Sequence, residues 1–494
     1  WFGGIDGAAQ MLAGNEMLQP GTKKQYDAII EAVGNGSLPM EVIDHNVENI
    51  LKMVVKTPAF KGYKYSNKPD LKAHAQVTRQ SALEGMVLLE NNGVLPLASE
   101  VRNVAVFGNT SFNFIAGGTG SGNVNRAYTV SLIDGLKNGG YNVDETMAET
   151  VAEKVNAFDE EYKKKMSELG MLAAFLPQPL APEVLPTDAQ LKSMVAANDI
   201  AIITLGRISG EFLDRTSANF ALSAEENKLL AKVTSAFHQA GKKVVVILNI
   251  GGVIETASWK NVPDAILLAW QAGQEGGNSV VDILSGKQSP SGKLTMTWPV
   301  GLMDAASSAN FPIDQTASMD IVNKQEVGNV KNVDFTNYEE GIYVGYRWFD
   351  KENLEVSYPF GYGLSYTSFE YSEPSVEVAG GTATVKVKVT NTGSVAGKEA
   401  AQVYVTAPAG GLDKPVRELK AYAKTAVLEP GQSEVLTMTI PVRELASYSE
   451  EAAGWVVAEG LYDFQIGASS RDIRVNATAS VEGLVENTAR VLLR

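Results

Sequence analysis

The chain has 494 residues, with 42 basic against 57 acidic side chains, a net charge of −15, no cysteine and three histidines. At roughly 150 residues per domain, this length supports about two to four domains with real cores, and 45% hydrophobic residues is a globular composition. The acidic balance argues against nucleic acid as the main partner. The lack of cysteine excludes disulfides, zinc-thiolate sites and cysteine nucleophiles, and no stretch approaches the ~18 apolar residues of a membrane span. No signal-peptide pattern is present. The chain opens at Trp1 inside a glycine-rich run without an initiator methionine, so the natural N-terminus is expected to lie upstream.

In chain order, residues 1–60 read as helical. Tyr26, Ile29, Ile30 and Val33 fall at helical spacing, and after Leu38-Pro39 the residues Val42, Ile43, Val47, Ile50, Leu51, Val54 and Val55 repeat it. Thr57-Pro58 ends the pattern. Two amphipathic helices without a strand cannot close a domain, so their apolar faces require a further partner. Residues 61–75, rich in Tyr, Lys and Pro, read as a linker. A helix over 77–90 then leads into Val94-Leu95-Pro96-Leu97. Short apolar runs follow at Val104–Phe107, Ile200–Leu205, Val244–Leu248 and Ala265–Ala269, with helical segments at 129–138, 187–197, 223–240 and 276–285. Strands alternating with helices predict βαβ units and a mainly parallel sheet covered on both faces. This α/β domain spans 76–300. Residues 301–370 lack a clear period and read as a connector wrapping over other domains. Their dense aromatic cluster, Tyr338 to Tyr362, is expected to pack between domains. From about Tyr371, alternating runs at Thr382–Val389, Ala400–Ala407, Val435–Ile440 and Leu461–Ile466, separated by Gly- and Pro-bearing turns, predict an antiparallel β-sandwich over 371–480. The tail 481–494 is not assigned.

The sharpest chemical signal is Gly206-Arg207-Ile208-Ser209-Gly210-Glu211-Phe212-Leu213-Asp214-Arg215, directly after the run Ile200–Leu205. Open α/β sheets place ligands at the carboxyl ends of their strands, which is where this loop falls. Flanked by Phe212 and Leu213, the Glu211 carboxyl is expected to be half-buried, with its pKa raised, the state a general acid needs. Asp214 and Arg215 are placed to form an ion pair that fixes the loop; on composition alone, an exposed loop with a solvated salt bridge is the competing reading. A second loop, Gly117-Gly118-Thr119-Gly120-Ser121-Gly122, follows Val104–Phe107. Its glycine spacing does not fit a dinucleotide fingerprint, and it has no Walker lysine. It suits either a plain turn or a close backbone approach to a ligand. Trp1-Phe2-Gly3-Gly4 suits either sugar stacking or core packing. His45, His74 and His238 are isolated, without metal-ligand spacing, and no G-x-S-x-G elbow occurs.

Taken together, the segments resemble glycoside hydrolase family 3 of the β-glucosidase type. The landmarks are Ala13-Gly14-Asn15 with Pro20-Gly21; Arg79-Gln80-Ser81-Ala82; Glu84 to Leu89; Leu95-Pro96-Leu97; Gly117–Gly122; Gly210-Glu211 with Asp214-Arg215; Ala272 to Gly277; Pro290 to Leu294; and Tyr358 to Tyr366. The resemblance covers the chain to about residue 480. It implies an α/β plus all-β chain: the last helices of a (β/α)₈ barrel at 1–60, an α/β sandwich domain carrying the acid/base loop at 76–300, and a fibronectin type III-like domain at 371–480. The rest of the barrel, some 250 residues by its usual size, lies outside this sequence.

The resemblance also implies roles. The family is retaining, with a nucleophile and an acid/base carboxylate about 5 Å apart. The acid/base falls on Glu211. The nucleophile of similar members is an aspartate directly before a tryptophan matching Trp1, so it would precede the first residue here. Trp1 would border the sugar, with Thr119, Ser121 and Arg126 reaching the same cleft. Glu16 and Gln19 depart from the aspartate and methionine more common in the family. The implied activity is release of terminal β-D-glucose from a β-linked glucoside or oligosaccharide, without cofactor or metal. The partner is the missing barrel segment or chain; nucleic acid and membrane are not implied, and a homo-oligomer is compatible. Similar enzymes are often periplasmic or secreted. The alternatives are a β-xylosidase or another exo-glycosidase of the family, the acetylglucosaminidase branch ranking lower, and a non-catalytic carbohydrate-binding or assembly fragment.

Overall fold

The computed structural model describes residues 4–168, 179–211, 215–309 and 337–488. It divides into two compact units, Trp1–Leu71 and Lys72–Arg494.

In the first unit, Asp6 caps helix α1 (Gly7–Leu12) by accepting from the Ala9 amide at 3.1 Å. Helix α2 (Lys23–Gly34) opens with a capping box between Thr22 and Gln25, and α3 (Met40–Val54) follows Pro39. A small core of Met11, Ala32 and Leu38, joined by Ile29, Val33 and Ile43, holds the three together. Asn46 reaches in to donate to the Met11 carbonyl at 3.0 Å. Much of the expected stripe, Tyr26, Ile30, Val47, Leu51, Val54 and Val55, stays exposed. Three short helices have too few inward positions to cover two amphipathic faces.

From Lys72 the second unit takes in all but the first residue of α4 (Leu71–Gly85), followed by β1 (Val87–Asn91). The helix predicted over 77–90 therefore ends early. Met86 to Leu89 are all fully buried, and a continuous apolar run suits a strand whose two faces are both covered. Then come β2 (Asn103–Phe107), α5 (Asn109–Phe112), α6 (Leu132–Asn138), β3 (Asn142–Asp144), α7 (Ala148–Ser167), α8 (Asp188–Ala197), β4 (Ile200–Arg207), α9 (Ala224–Gln239), β5 (Lys243–Ile250), β6 (Ala265–Leu268) and α10 (Gly276–Leu284). The sheet order is β1-β6-β5-β4-β2-β3. Only the β1–β6 pair is antiparallel. Along β4, Ala201, Ile203 and Leu205 join one core with Leu229, Val233 and Phe237 of α9. Ile200 and Ile202 join the other with Leu132 of α6 and Val280 of α10. Period-two alternation therefore feeds two apolar layers, and every residue of β4 is buried. The sequence reading missed β3 and α7; α7 buries only Val151, so its apolar period is faint.

Residues 310–336 of the predicted connector lie outside the described residues. Around them run β7 (Trp298–Pro299), α11 (Tyr346–Lys351) and β8 (Val356–Tyr358), with β7 paired to β8. The aromatic cluster packs as two groups: Tyr358 against Trp298 and Tyr362, and Tyr346 against Phe360 and Tyr404. Tyr338 is exposed.

Ten strands complete the unit: β9 (Phe369–Ala379), β10 (Thr382–Asn391), β11 (Ala400–Thr406), β12 (Glu418–Lys424), β13 (Ser433–Pro441), β14 (Ser447–Ser449), β15 (Gly454–Val457), β16 (Gly460–Ser469), β17 (Asp472–Val481) and β18 (Leu484–Asn487). The sheets β13-β10-β9 and β12-β11-β16-β17 enclose one core, with Val385, Val387, Val403, Phe464 and Ile466 inside. This is the expected sandwich. A third sheet, β14-β15-β18, was not expected; it places part of the unassigned tail in a strand. Among the described residues no helix is long and apolar enough to cross a membrane.

Candidate functional site

The α/β layer fixes the site through the carboxyl ends of two neighbouring parallel strands. β4 delivers Ile208 to Glu211, and β2 leads to the glycine loop 117–122. The two loops bind each other. Thr119 and Gly210 form a parallel bridge. The Thr119 amide donates to the Ser209 carbonyl at 3.3 Å, and its hydroxyl donates to the Glu211 carbonyl at 3.1 Å. A Cβ at position 210 would lie 2.3 Å from the Thr119 amide nitrogen. Asn249, buried at the end of β5, clamps the approach to the loop, accepting from the Ile115 amide at 2.7 Å and donating to the Ile115 and Trp270 carbonyls at 2.9 and 2.7 Å.

Ser121 holds the Glu211 carboxylate. Its amide donates to Oε2 at 2.9 Å and its hydroxyl at 3.1 Å. Gly120, at φ +63°, makes this approach possible: a Cβ there would sit 2.3 Å from Oε2. Among the described residues, Oε1 accepts no hydrogen bond. The expectation of a half-buried carboxyl with a raised pKa is not met. Glu211 is exposed, and the Ser121 amide and hydroxyl lower its pKa. Two donors favour the charged form, and there is little desolvation to oppose them.

Arg215 does anchor the loop, but through carbonyls and an amide side chain. It donates to the Val253 carbonyl at 2.9 Å, the Asn219 carbonyl at 2.8 Å and Asn219 Oδ1 at 2.9 Å. Burial, with the nearby Arg207 charge, lowers its pKa to about 10. Trp1 and Asp214 lie outside the described residues, so the predicted Asp214–Arg215 pair does too. The structure brings Thr119 and Ser121 to Glu211. Arg126 instead donates to Asn123 at 3.2 Å and forms no hydrogen bond or ion pair with Glu211 among the described residues.

Sequence reading missed the support under the loop. Arg207, the last residue of β4, is buried and forms a two-armed pair with Glu226 of α9. It also donates to the Asn219 and Ala221 carbonyls at 3.1 and 3.0 Å. Glu183 accepts from the Asn109 amide at 2.8 Å. Burial, with the Glu226 charge, overcomes that bond and the Arg207 charge and raises its pKa to about 8. These groups line a cavity of about 430 Å³ beside the Ile208–Glu211 loop. A charged residue closing an otherwise apolar strand was the one available signal for Arg207; nothing local pairs it with Glu226. Among the described residues no group of three or more His, Cys, Asp or Glu side chains could hold a metal ion. The arrangement can present one oriented carboxyl oxygen from a rigid sheet.

Residues 86–366 match the glycosyl hydrolase family 3 C-terminal domain, and residues 399–470 the fibronectin type III-like domain. Over 451 residues the chain is 35% identical to β-glucosidase A of Butyrivibrio fibrisolvens, covering 81% of this chain and 50% of that protein. Over 503 residues it is 31% identical to an exo-α-(1→6)-L-arabinopyranosidase of Bifidobacterium breve, covering 98% and 58%. The structure of β-glucosidase 3B from Thermotoga neapolitana in complex with glucose superposes with a TM-score of 0.85 at 42% identity, covering 99% of this chain and 66% of that one. The chain spans about half the length of the curated relatives it matches. With the family domain matched over more than half of its residues and the predicted α/β and β-sandwich architecture in place, this chain belongs to glycoside hydrolase family 3.

Proposed function

We propose that this chain carries the proton-donor half of a retaining, exo-acting β-glycosidase that releases terminal β-D-glucose. Glu211 is the general acid/base, and the nucleophile aspartate is supplied by a segment ahead of Trp1. The carrying observation is the double donation from Ser121 to Glu211 Oε2, which leaves Oε1 to hold and pass the proton. The relatives named as β-glucosidases support the substrate class. The exposed apolar stripe of α2 and α3 supports further barrel elements against them.

In the first half-reaction the aspartate attacks the anomeric carbon while protonated Glu211 gives its proton to the departing glycosidic oxygen. In the second, ionised Glu211 takes a proton from the water that attacks the glycosyl-enzyme. The carboxylate favoured in this structure suits the second step. The first requires the pKa to rise, and a sugar seated on the carboxyl would raise it by excluding water. The arabinopyranosidase relatives leave the glycone as the variable to be measured.

The test is Glu211→Ala in the protein with its upstream segment intact. Turnover of poorly activated glucosides is expected to fall by roughly 10²- to 10⁴-fold. Azide is expected to restore part of the rate on activated aryl glucosides and yield a β-glucosyl azide. An unchanged rate, or no azide product, overturns the assignment. A panel of nitrophenyl glycosides on the same protein separates glucose from xylose and arabinopyranose.

A further inference from the structure

A second cavity, of about 560 Å³, lies between the β-sandwich part of the second unit and the segment around α11, and shares none of the residues around Glu211. Its size is in the range of about 300–1,000 Å³ of small-molecule sites. One wall is the small sheet β14-β15-β18. Tyr448 faces Trp455 across the strands, and Trp455 faces Glu486, so the three form a row. Tyr448 and Trp455 remain 47% and 45% exposed, so their rings are open to a ligand. Their rings meet edge to face, with centroids 5.5 Å apart and planes at 75°. They form a corner in which one ring can take the apolar face of a pyranose while the other closes its side.

The facing walls are ionic but balanced. The cavity lining carries three basic and four acidic side chains, several already paired: Arg347 with Glu418 at 2.9 Å and Arg443 with Glu486 at 3.2 Å. Such pairs offer donors and acceptors without demanding a charged ligand. Protein interfaces, by contrast, are depleted of charged residues at their centre. A neutral, polyhydroxylated ligand with apolar faces matches both walls. We propose that this cavity is an ancillary binding site for a neutral saccharide chain of pyranose units, anchored on Trp455 and Tyr448. The site is independent of the Glu211 reading.

The test is affinity electrophoresis of the whole chain in native gels containing laminarin or hydroxyethylcellulose, with mobility in a plain gel as reference and size exclusion with light scattering in parallel. Retardation by at least one glucan is expected. Trp455→Ala and Tyr448→Ala should each weaken it roughly three- to tenfold. Trp455→Phe should retain most of it; both alanine changes fall on exposed positions, and circular dichroism checks their folding. Retardation that Trp455→Ala leaves unchanged overturns the proposal, as does the absence of retardation with both glucans. A halved mass for Trp455→Ala without any glucan effect also overturns it, in favour of contact between copies of this chain. Hydrolysis by the complete protein is read separately, so loss of glucan binding and loss of the Glu211 assignment are distinct results.

Discussion

The state of the Glu211 proton rests on one serine and one glycine. Ser121→Ala removes the hydroxyl donor at 3.1 Å but leaves the amide donor. The charged form then loses support, so the Glu211 pKa rises. In the complete protein the basic limb of the kcat/KM profile, where the acid must still be protonated, is expected to move to higher pH. An unmoved limb would show that Ser121 does not set that pKa. Gly120→Ala places a Cβ 2.3 Å from Oε2 at a φ of +63°. The expected cost is about 1–2 kcal/mol of stability, together with a loss of turnover well beyond that cost, because the displaced group is the carboxyl itself. Thermal melts and rates on the same preparation separate the two effects. Glu211 itself was legible, as the acidic residue after Ser209-Gly210 at a strand end. Its exposure was not, because Phe212 and Leu213 suggested apolar cover. The partnership with Ser121 joins residues 90 positions apart, which no local pattern records.

At the scale of elements, the end of β4 is tied to α9 through Arg207 and Glu226, and Glu183 sits beside that pair. Glu183 binds its proton more tightly folded, near pH 8, than unfolded, near its ordinary 4.5. The associated stability is complete below about pH 4.5 and is lost as pH rises through about 8. Glu183→Gln, which keeps an acceptor for the Asn109 amide, should flatten this trend. Its stability relative to the parent should improve on the order of a few kcal/mol between pH 5 and pH 8, as read by urea unfolding at both values. A parallel pH dependence in both proteins would contradict this. Strands and helices themselves were largely legible. Ile200–Leu205, Val244–Leu248 and the helix after Ser223 carry their period in adjacent residues. The helix expected over 77–90 failed at its end because an apolar run such as Met86–Leu89 fits a buried helix and a buried strand equally well until its neighbour β6 is known.

Across the molecule, the sandwich docks on the α/β layer through α4. Glu84 accepts from Lys398 at 2.5 Å and from Lys424 of β12 at 2.6 Å. Burial opposes its charge, but the two lysines outweigh it and lower its pKa to about 2. This contribution is present above pH 4.5 and fades as pH falls toward 2. Glu84→Gln should therefore cost about 2 kcal/mol at neutral pH and little near pH 2, and calorimetry should resolve the sandwich melting apart from the α/β layer. One unchanged, cooperative transition would count against this docking role. The sequence alone determined the order of layers, because core periodicity is written in neighbouring residues: alternating βαβ segments, then evenly spaced strands. Its ordered motifs pointed to the family that the comparisons then showed. Only the tertiary structure decided what the loops do. It turned a glycine run that suited either a plain turn or a ligand into the cradle of a carboxylate, lowered the pKa of that exposed group, and set Trp455 beside Tyr448 on a sheet no motif announced. Those outcomes depend on contacts between residues distant in the chain, where distance, donors and exposure are fixed by packing rather than by any local pattern.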